Sequence, residues 1–505
     1  MKKFFYSVVS ISLLAICLIS CDNGNFNGQL FTRQNANISG DYSDRFNSSF
    51  PNTYEPIISY DYNTYHDHCF YSIDNAPTKG NVNVLVIPVR LIDYKNDNEE
   101  QIYSDICKSF FAQSNEISFE SVASYYEKSS YNNLSIGGYV TDWYDSGFKT
   151  SLSLEDTETL VKNAIEWARS KYKDKIDFSS LDSDKDGFLD AVSLIYNAPN
   201  YYNNNDNLWA YTSWVYGLRS NINKPNPKCY LWASYDFMYE NIKNAPVDAH
   251  TYIHEMGHVF GLDDYYDYSK SNYGGASGGA IMQAYNVGDH DPYSKFALGW
   301  INPIVPTSNT TITLKPFSET GQTILLTNRS GLNSAFDEYI LVDFYSASNL
   351  NQYDSLHKFG GSRSNYPLLT TSYGVRIWHV DARLMNINKA GDAYYITSQI
   401  DDEDGRYYHL NSNSSDGSYA SMDIRNRDNR LLRLISKTFM NAYETTEYTF
   451  FASSDMFKEG DVFSVKRYNV LFKKNKVLND GTSLNFEIEV KEMNKEQATI
   501  DVRVI

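Results

Sequence analysis

The sequence predicts an α+β protein with a mixed first half and a β-rich second half. Three observations carry this reading. The run Asn83-Val84-Leu85-Val86-Ile87-Pro88-Val89 is a nearly continuous apolar stretch of strand length. Leu160, Ala164, Trp167 and Ala168 recur at helical spacing and should turn toward a core. Beyond Pro303 the pattern becomes alternation, as in Thr311-Ile312-Thr313-Leu314, Phe486-Glu487-Ile488-Glu489-Val490 and Ile500-Asp501-Val502-Arg503-Val504, with Asn479-Asp480-Gly481 as a turn signal. With 505 residues the chain is long enough for two or three domains.

The first element is a targeting signal. Lys2 and Lys3 precede an apolar run from Phe4 to Ser20, too short for a spanning helix and without a charged flank on its far side. Leu18-Ile19-Ser20-Cys21 is similar to a bacterial lipobox. Residues 1–20 therefore read as a lipoprotein signal peptide. Cys21 would be lipidated and would hold the mature chain on the extracellular face of the bacterial membrane, anchored or later released. An ordinary secretory signal with an accidental cysteine is the competing reading, and the small Ser20 weighs against it. Residues 21–80 are polar and rich in Asn, Ser and Tyr, which suggests a flexible tether or pro-segment.

Five cysteines are present. With Cys17 removed and Cys21 committed to lipid, Cys69, Cys107 and Cys229 remain. That odd set makes no disulfide framework, though one bridge is possible. Cys69 reads as an ordinary cysteine; an inhibitory thiolate on a metal is the rarer alternative. The net charge of -18 excludes nucleic acid as a natural partner and suits an exterior, calcium-binding protein. The 43 tyrosines read as compositional bias.

Residues 81–302 read as one mixed domain. A strand is expected near 82–91, helices near 101–113 and 154–171, a strand near 191–196 and a helix near 247–260. Residues 182–190, DSDKDGFLD, interrupt this pattern. Asp182, Asp184 and Asp186 alternate, Gly187 permits a sharp turn, Phe188 would offer its carbonyl and Asp190 closes the set. This is the front of an oxygen-ligand calcium loop. Position twelve is Ser193, so the loop is no complete EF-hand, and Ala191–Tyr196 should leave it as a buried strand. Calcium would pin that strand; a solvated acidic turn is the competing reading.

Residues 254–264, HEMGHVFGLDD, fit H-E-x-x-H-x-x-G-x-x-D. His254 and His258 are four apart, so a helix places both on one face, where they can hold one metal ion. Glu255 is placed to take a proton from an attacking water. Gly261 lets the helix stop and the chain reverse. The reversal can return Asp264 as a third ligand and leave a fourth position for water, the arrangement of a catalytic zinc. Asp263 is adjacent, but the spacing favours Asp264. His250, one turn earlier, reads as a supporting or surface histidine.

After a loop containing Gly274, Gly275, Gly278 and Gly279, Met282 stands where the metzincin class of zinc proteases places a methionine turn under the metal. The competing class takes a glutamate from a later helix. None occurs before Glu319, in a strand-like, Thr-rich region. Tyr285 and Tyr293 are candidate donors to a transition-state oxyanion. Trp209, Trp214 and Trp232 either line the cleft or fill the core.

These residues resemble the immune inhibitor A-like bacterial zinc metallopeptidases, and the likeness extends beyond the zinc helix. Asn83–Val89 looks like the first strand of that catalytic domain. Ser121-Val122-Ala123-Ser124-Tyr125-Tyr126-Glu127 with Ser130, Tyr131 and Leu134 looks like its next helix, although Asn132 and Asn133 stand where glycine is usual. Asp291–Trp300 resembles the closing helix, and Gly374–Asp381 a strand beyond it.

The resemblance spans about 81–505. It implies a metzincin-like catalytic domain at 81–302, followed by β-sandwich-type C-terminal modules at 303–505. It makes His254, His258 and Asp264 the zinc ligands and Glu255 the catalytic base. The implied activity is a zinc endopeptidase acting on protein or peptide substrates, with calcium as a second cofactor; a monomer is expected. A non-catalytic adhesin with a structural metal is the alternative. A carbohydrate hydrolase would need a carboxylate pair, and none is evident. The polar stretches 346–373 and 386–430 should be surface loops, and the β-rich half should brace the catalytic domain.

Overall fold

The computed structural model describes residues 28–32, 50–59, 62, 76–114, 116–239, 247–329, 331–360, 365–387, 394–398, 406–415, 428–472 and 477–505. The expectations for the signal peptide, for lipidation at Cys21 and for Cys69 lie outside these residues.

Two short strands come first, β1 (Gln29–Phe31) and β2 (Thr53–Tyr54). Then follow β3 (Gly80–Arg90), β4 (Leu134–Val140), β5 (Tyr144–Asp145), β6 (Ala191–Tyr196), β7 (Tyr211–Trp214) and β8 (Cys229–Ser234). They form one sheet in the order β1-β4-β3-β6-β8-β7, with β5 paired to β3. The inner strands β4, β3, β6 and β8 run parallel, while β1 and β7 close the two edges antiparallel. A parallel sheet is buried on both faces, which is why β3 and β6 read as continuous apolar runs.

The twofold repeat of a strand separates the two faces. Val84 and Val86 of β3 join Ile195 and Leu231 in a core that includes Ile253 and Met256 of the helix His250–Val259. Leu85, Ile87 and Val89 face the other way and meet Leu160, Ala164 and Ala168 of the helix Leu154–Lys171. That long helix has the expected bounds. Ser153 caps it and forms a reciprocal capping box with Asp156.

The second half continues with β9 (Val305–Pro306), β10 (Thr310–Leu314), β11 (Thr323–Leu326), β12 (Glu338–Tyr345) and β13 (Gly374–Asp381). Then come β14 (Leu384–Ile387), β15 (Tyr394–Thr397), β16 (Arg406–His409), β17 (Leu432–Leu434), β18 (Val462–Phe463), β19 (Phe486–Met493) and β20 (Ala498–Val504). Two four-stranded sheets, β10-β20-β19-β18 and β11-β12-β13-β17, enclose a common core that includes Ile312, Ile488 and Ile500 from one and Ile340, Val342 and Ile377 from the other. The reverse face of the second sheet, with Leu341, Trp378 and Leu434, belongs to the same core as the helix His250–Val259. The α+β class is what the sequence leads one to expect. The core, however, runs without a break across the boundary placed at 302/303.

Several expectations are corrected. Part of the supposed tether is built into the fold: β1 pairs with β4, β2 pairs with β9, and Tyr62 is buried. The stretch 386–430 includes β15, β16 and buried residues through Ser414. Glu319 sits in a one-turn helix, Phe317–Thr320. Cys107 and Cys229 are buried, and no disulfide joins them. Trp232 is core, whereas Trp209 is exposed. No helix among the described residues is long and apolar enough to cross a membrane.

Candidate metal centre

The helix His250–Val259 lies against the sheet edge formed by β8 and β7, and it carries His254, Glu255 and His258. It ends in a Schellman arrangement. Gly261 takes a left-handed φ of 99°, its N–H reaches the His258 carbonyl at 3.0 Å, and the Leu262 N–H reaches the Gly257 carbonyl at 3.0 Å. A glycine is needed at this turn because an L side chain would be strained there. The reversal returns Asp264 to the two histidines.

The orientation of the rings is set by the backbone. The Nδ1 of His254 is 2.9 Å from the Met282 carbonyl, and the Nδ1 of His258 is 2.7 Å from the Leu262 carbonyl. A carbonyl only accepts, so each Nδ1 carries a proton and each Nε2 is left to face the site, able to ligate a metal once its own proton is displaced. Both Nε2 atoms face one oxygen: Asp264 Oδ1 lies 2.9 Å from His254 Nε2 and 3.3 Å from His258 Nε2. The three ligand atoms lie within 4.8 Å of one another.

Without a metal, a proton on the imidazole offsets the anionic oxygen; a metal ion would take that proton's place. Burial opposes charge on His258, yet the Asp264 carboxylate carries it up to about 10. Burial likewise opposes charge on Asp264, and the two histidines still hold its carboxyl well below the usual range. Two imidazoles and one carboxylate form a zinc-type donor set. The residues fit the group.

Glu255 is buried beside the ligands. Burial raises its pKa first of all, the two histidines oppose the rise, and Asp264 adds to it. Its carboxylate accepts a long hydrogen bond of 3.4 Å from the Thr212 hydroxyl, which also donates to the Glu255 carbonyl at 2.8 Å. Thr212 belongs to β7, so the sheet edge and the carboxylate are linked directly.

Met282 is fully buried below the helix, in the core shared with Met256. It is also the residue whose carbonyl orients His254. Gln283 follows and lies against Gly257, where any Cβ would come within 2.3 Å of its amide oxygen.

The two tyrosine candidates point elsewhere. The Tyr285 hydroxyl donates to the carbonyls of Ser271 and Tyr273. The Tyr293 hydroxyl is buried 3.2 Å from His409 Nε2. Neither is bonded to a motif residue. Tyr268, which the sequence did not single out, donates its hydroxyl to Asp264 Oδ2 and is partly exposed. The abundance of tyrosine concealed it; its position four residues after Asp264 was the only clue. Asp263 turns away from the histidines and pairs with His409 at 2.9 Å. His250 is buried between Asp248 and Asp354 and takes no part in the cluster.

The acidic loop forms a second cluster. Asp182, Asp184 and Asp190 bring carboxylate oxygens within 4.8 Å of one another. Asp182 Oδ1 is buried without a hydrogen-bond partner, an anionic atom left for a cation. Burial, opposed by bonds from Ser183 and Asn83, pushes Asp190 up to about 7. Asp186 is not among the three carboxylates brought together; its carboxylate accepts the Phe188 N–H at 2.7 Å. Gly187 has a φ of 88°, and a Cβ there would meet the Asn221 nitrogen at 2.4 Å. All-oxygen donors suit calcium. Asp190 directly precedes β6 and also accepts the Asn83 N–H of β3 at 3.3 Å, so an ion here would tie two central strands together.

No family model and no curated protein matches the chain.

Proposed function

We propose that the chain is a zinc endopeptidase of the immune inhibitor A-like type, held at the outer bacterial surface through lipidated Cys21. The observation that carries this reading is the aim of His254 and His258. Two histidines tied through Nδ1 converge on Asp264, with a buried glutamate of raised pKa alongside. A purely structural centre has no use for Glu255.

Zinc held by His254, His258 and Asp264 would acidify a water and polarise the scissile carbonyl. Glu255 takes the proton of the attacking water and delivers it to the leaving amine, a transfer favoured by a carboxylate whose proton affinity burial raises. Thr212 restrains Glu255 for both transfers. The open edge of β7, unpaired on its outer side among the described residues, offers an extended peptide a ladder of backbone hydrogen bonds beside Glu255. Asp182, Asp184 and Asp190 hold calcium in a structural role. Met282 forms the floor beneath the ligands, and the protein acts as a monomer on protein or peptide substrates.

The test is hydrolysis of casein or gelatin by the zinc-loaded full-length chain. Glu255→Gln should keep its zinc and lose activity by roughly 10²- to 10⁴-fold, and a zinc chelator should abolish turnover in the wild type. A folded, zinc-loaded wild type that cleaves none of a diverse peptide set would overturn the peptidase and favour an adhesin.

A further inference from the structure

The loop that delivers the third ligand has no ladder of its own. Residues 263–269 run through irregular backbone after the motif helix, so their polar groups need partners from elsewhere. Several of these partners come from one short segment of the C-terminal half. His409, at the end of β16, is 3% exposed, and its Nδ1 lies 2.9 Å from Asp263 Oδ2. Its Nε2 meets the Tyr293 hydroxyl at 3.2 Å, so the ring is fixed at both nitrogens.

Asn413, 1% exposed, donates to the Tyr265 carbonyl at 3.1 Å and is itself fixed by Leu432 N–H at 3.0 Å. Ser415 then donates its N–H and hydroxyl to the Asp267 carboxylate, at 3.1 and 2.6 Å. The residues gripped are 263, 265 and 267. Two of them are the immediate neighbours of Asp264.

We propose that residues 409–415 are a positioning strap for the third metal ligand. The C-terminal half is then part of the metal centre, and residues 81–302 alone lack these contacts to the flanks of Asp264. The proposal rests on the metal-centre reading. A ligand held ready costs the ion no ordering when it binds, and partners outside the ligand shell commonly set affinity for this reason.

The experiment compares the full-length wild type with His409→Leu, Ser415→Ala and His409→Asn. Zinc affinity is measured by competition with a chromophoric chelator, and the thermal midpoint of each zinc-free protein is measured alongside. His409→Leu should weaken zinc binding roughly 10- to 100-fold. Ser415→Ala should weaken it measurably while its zinc-free midpoint stays within about 2 °C. His409→Asn, whose amide can stand where Nδ1 stood, should recover most of the affinity. A purely structural role would lower midpoints and leave affinities alone.

Unchanged zinc affinity in His409→Leu and Ser415→Ala overturns the strap. Should His409→Leu fail to fold, Ser415→Ala decides by the same criterion. A wild type that takes up no zinc instead sinks the metal-centre reading, on which the strap depends.

Discussion

His250 begins the motif helix and is 1% exposed, yet it is poised to carry a charge. Its Nδ1 lies 2.7 Å from Asp248 Oδ1, and its Nε2 lies 3.2 Å from both oxygens of Asp354. Phe119 and Phe359 pack against the ring, with centroids 4.1 and 4.5 Å away. Burial opposes the imidazolium, but the two carboxylates raise its pKa from 6.5 to about 10. The native state therefore keeps a proton that the unfolded chain releases near pH 6.5. The resulting stability is complete below that pH and is lost as pH rises through about 10.

The difference between those two values corresponds to about 5 kcal/mol. A chain of this length has an unfolding entropy of about 1 kcal/mol/K, so the midpoint should fall by about 5 °C from this group alone. Calorimetry on wild type and His250→Gln from pH 6 to 10, with zinc chelated in both, isolates the effect from other titrating groups. The gap between the two midpoints should be widest at pH 6 and should narrow by about 5 °C at pH 10. A gap independent of pH would refute the charged clamp.

Three further outcomes are expected. Gly261→Ala forces a side chain into a φ of 99°, so it should cost more than about 1 kcal/mol in a urea titration and weaken zinc binding through displaced Asp264. Tyr268→Phe removes the donor to Asp264 Oδ2 and should weaken zinc binding roughly tenfold by chelator competition. Its thermal midpoint should barely move, because the ring is partly exposed. Calcium at 100 times its dissociation constant should stabilise the protein by about 2.7 kcal/mol in a thermal scan, and Asp190→Asn should lose most of that increment.

The parts of the molecule legible in the sequence are those whose causes are local. The helix Leu154–Lys171 starts where Ser153 and Asp156 can cap it and turns one apolar stripe to the sheet. The HExxH spacing and Gly261 likewise act within one turn. Even here a local competitor shifted a boundary: the Asp248 carboxylate accepts the His250 N–H at 2.9 Å, so the helix begins at His250 instead of near Val247. Asp186 has a similar local use. Its carboxylate closes a turn onto Phe188, and alternation along the sequence cannot distinguish that use from ion binding.

What the sequence concealed depends on partners more than a hundred residues away. The segment 406–415 is rich in Tyr, Asn and Ser and shows no alternation, so it reads as a surface loop. It is ordered because its side chains satisfy the backbone and carboxylates of residues 263–267. The same separation explains Tyr293, whose hydroxyl is engaged by His409. It also bears on the adjacent pair Asp263 and Asp264. Spacing alone favours the second as a ligand, but both carboxylates lie within one residue of the right place. What sets Asp263 aside is a histidine 146 positions further along the chain. The motif thus names the candidates, and the distant half of the molecule selects between them.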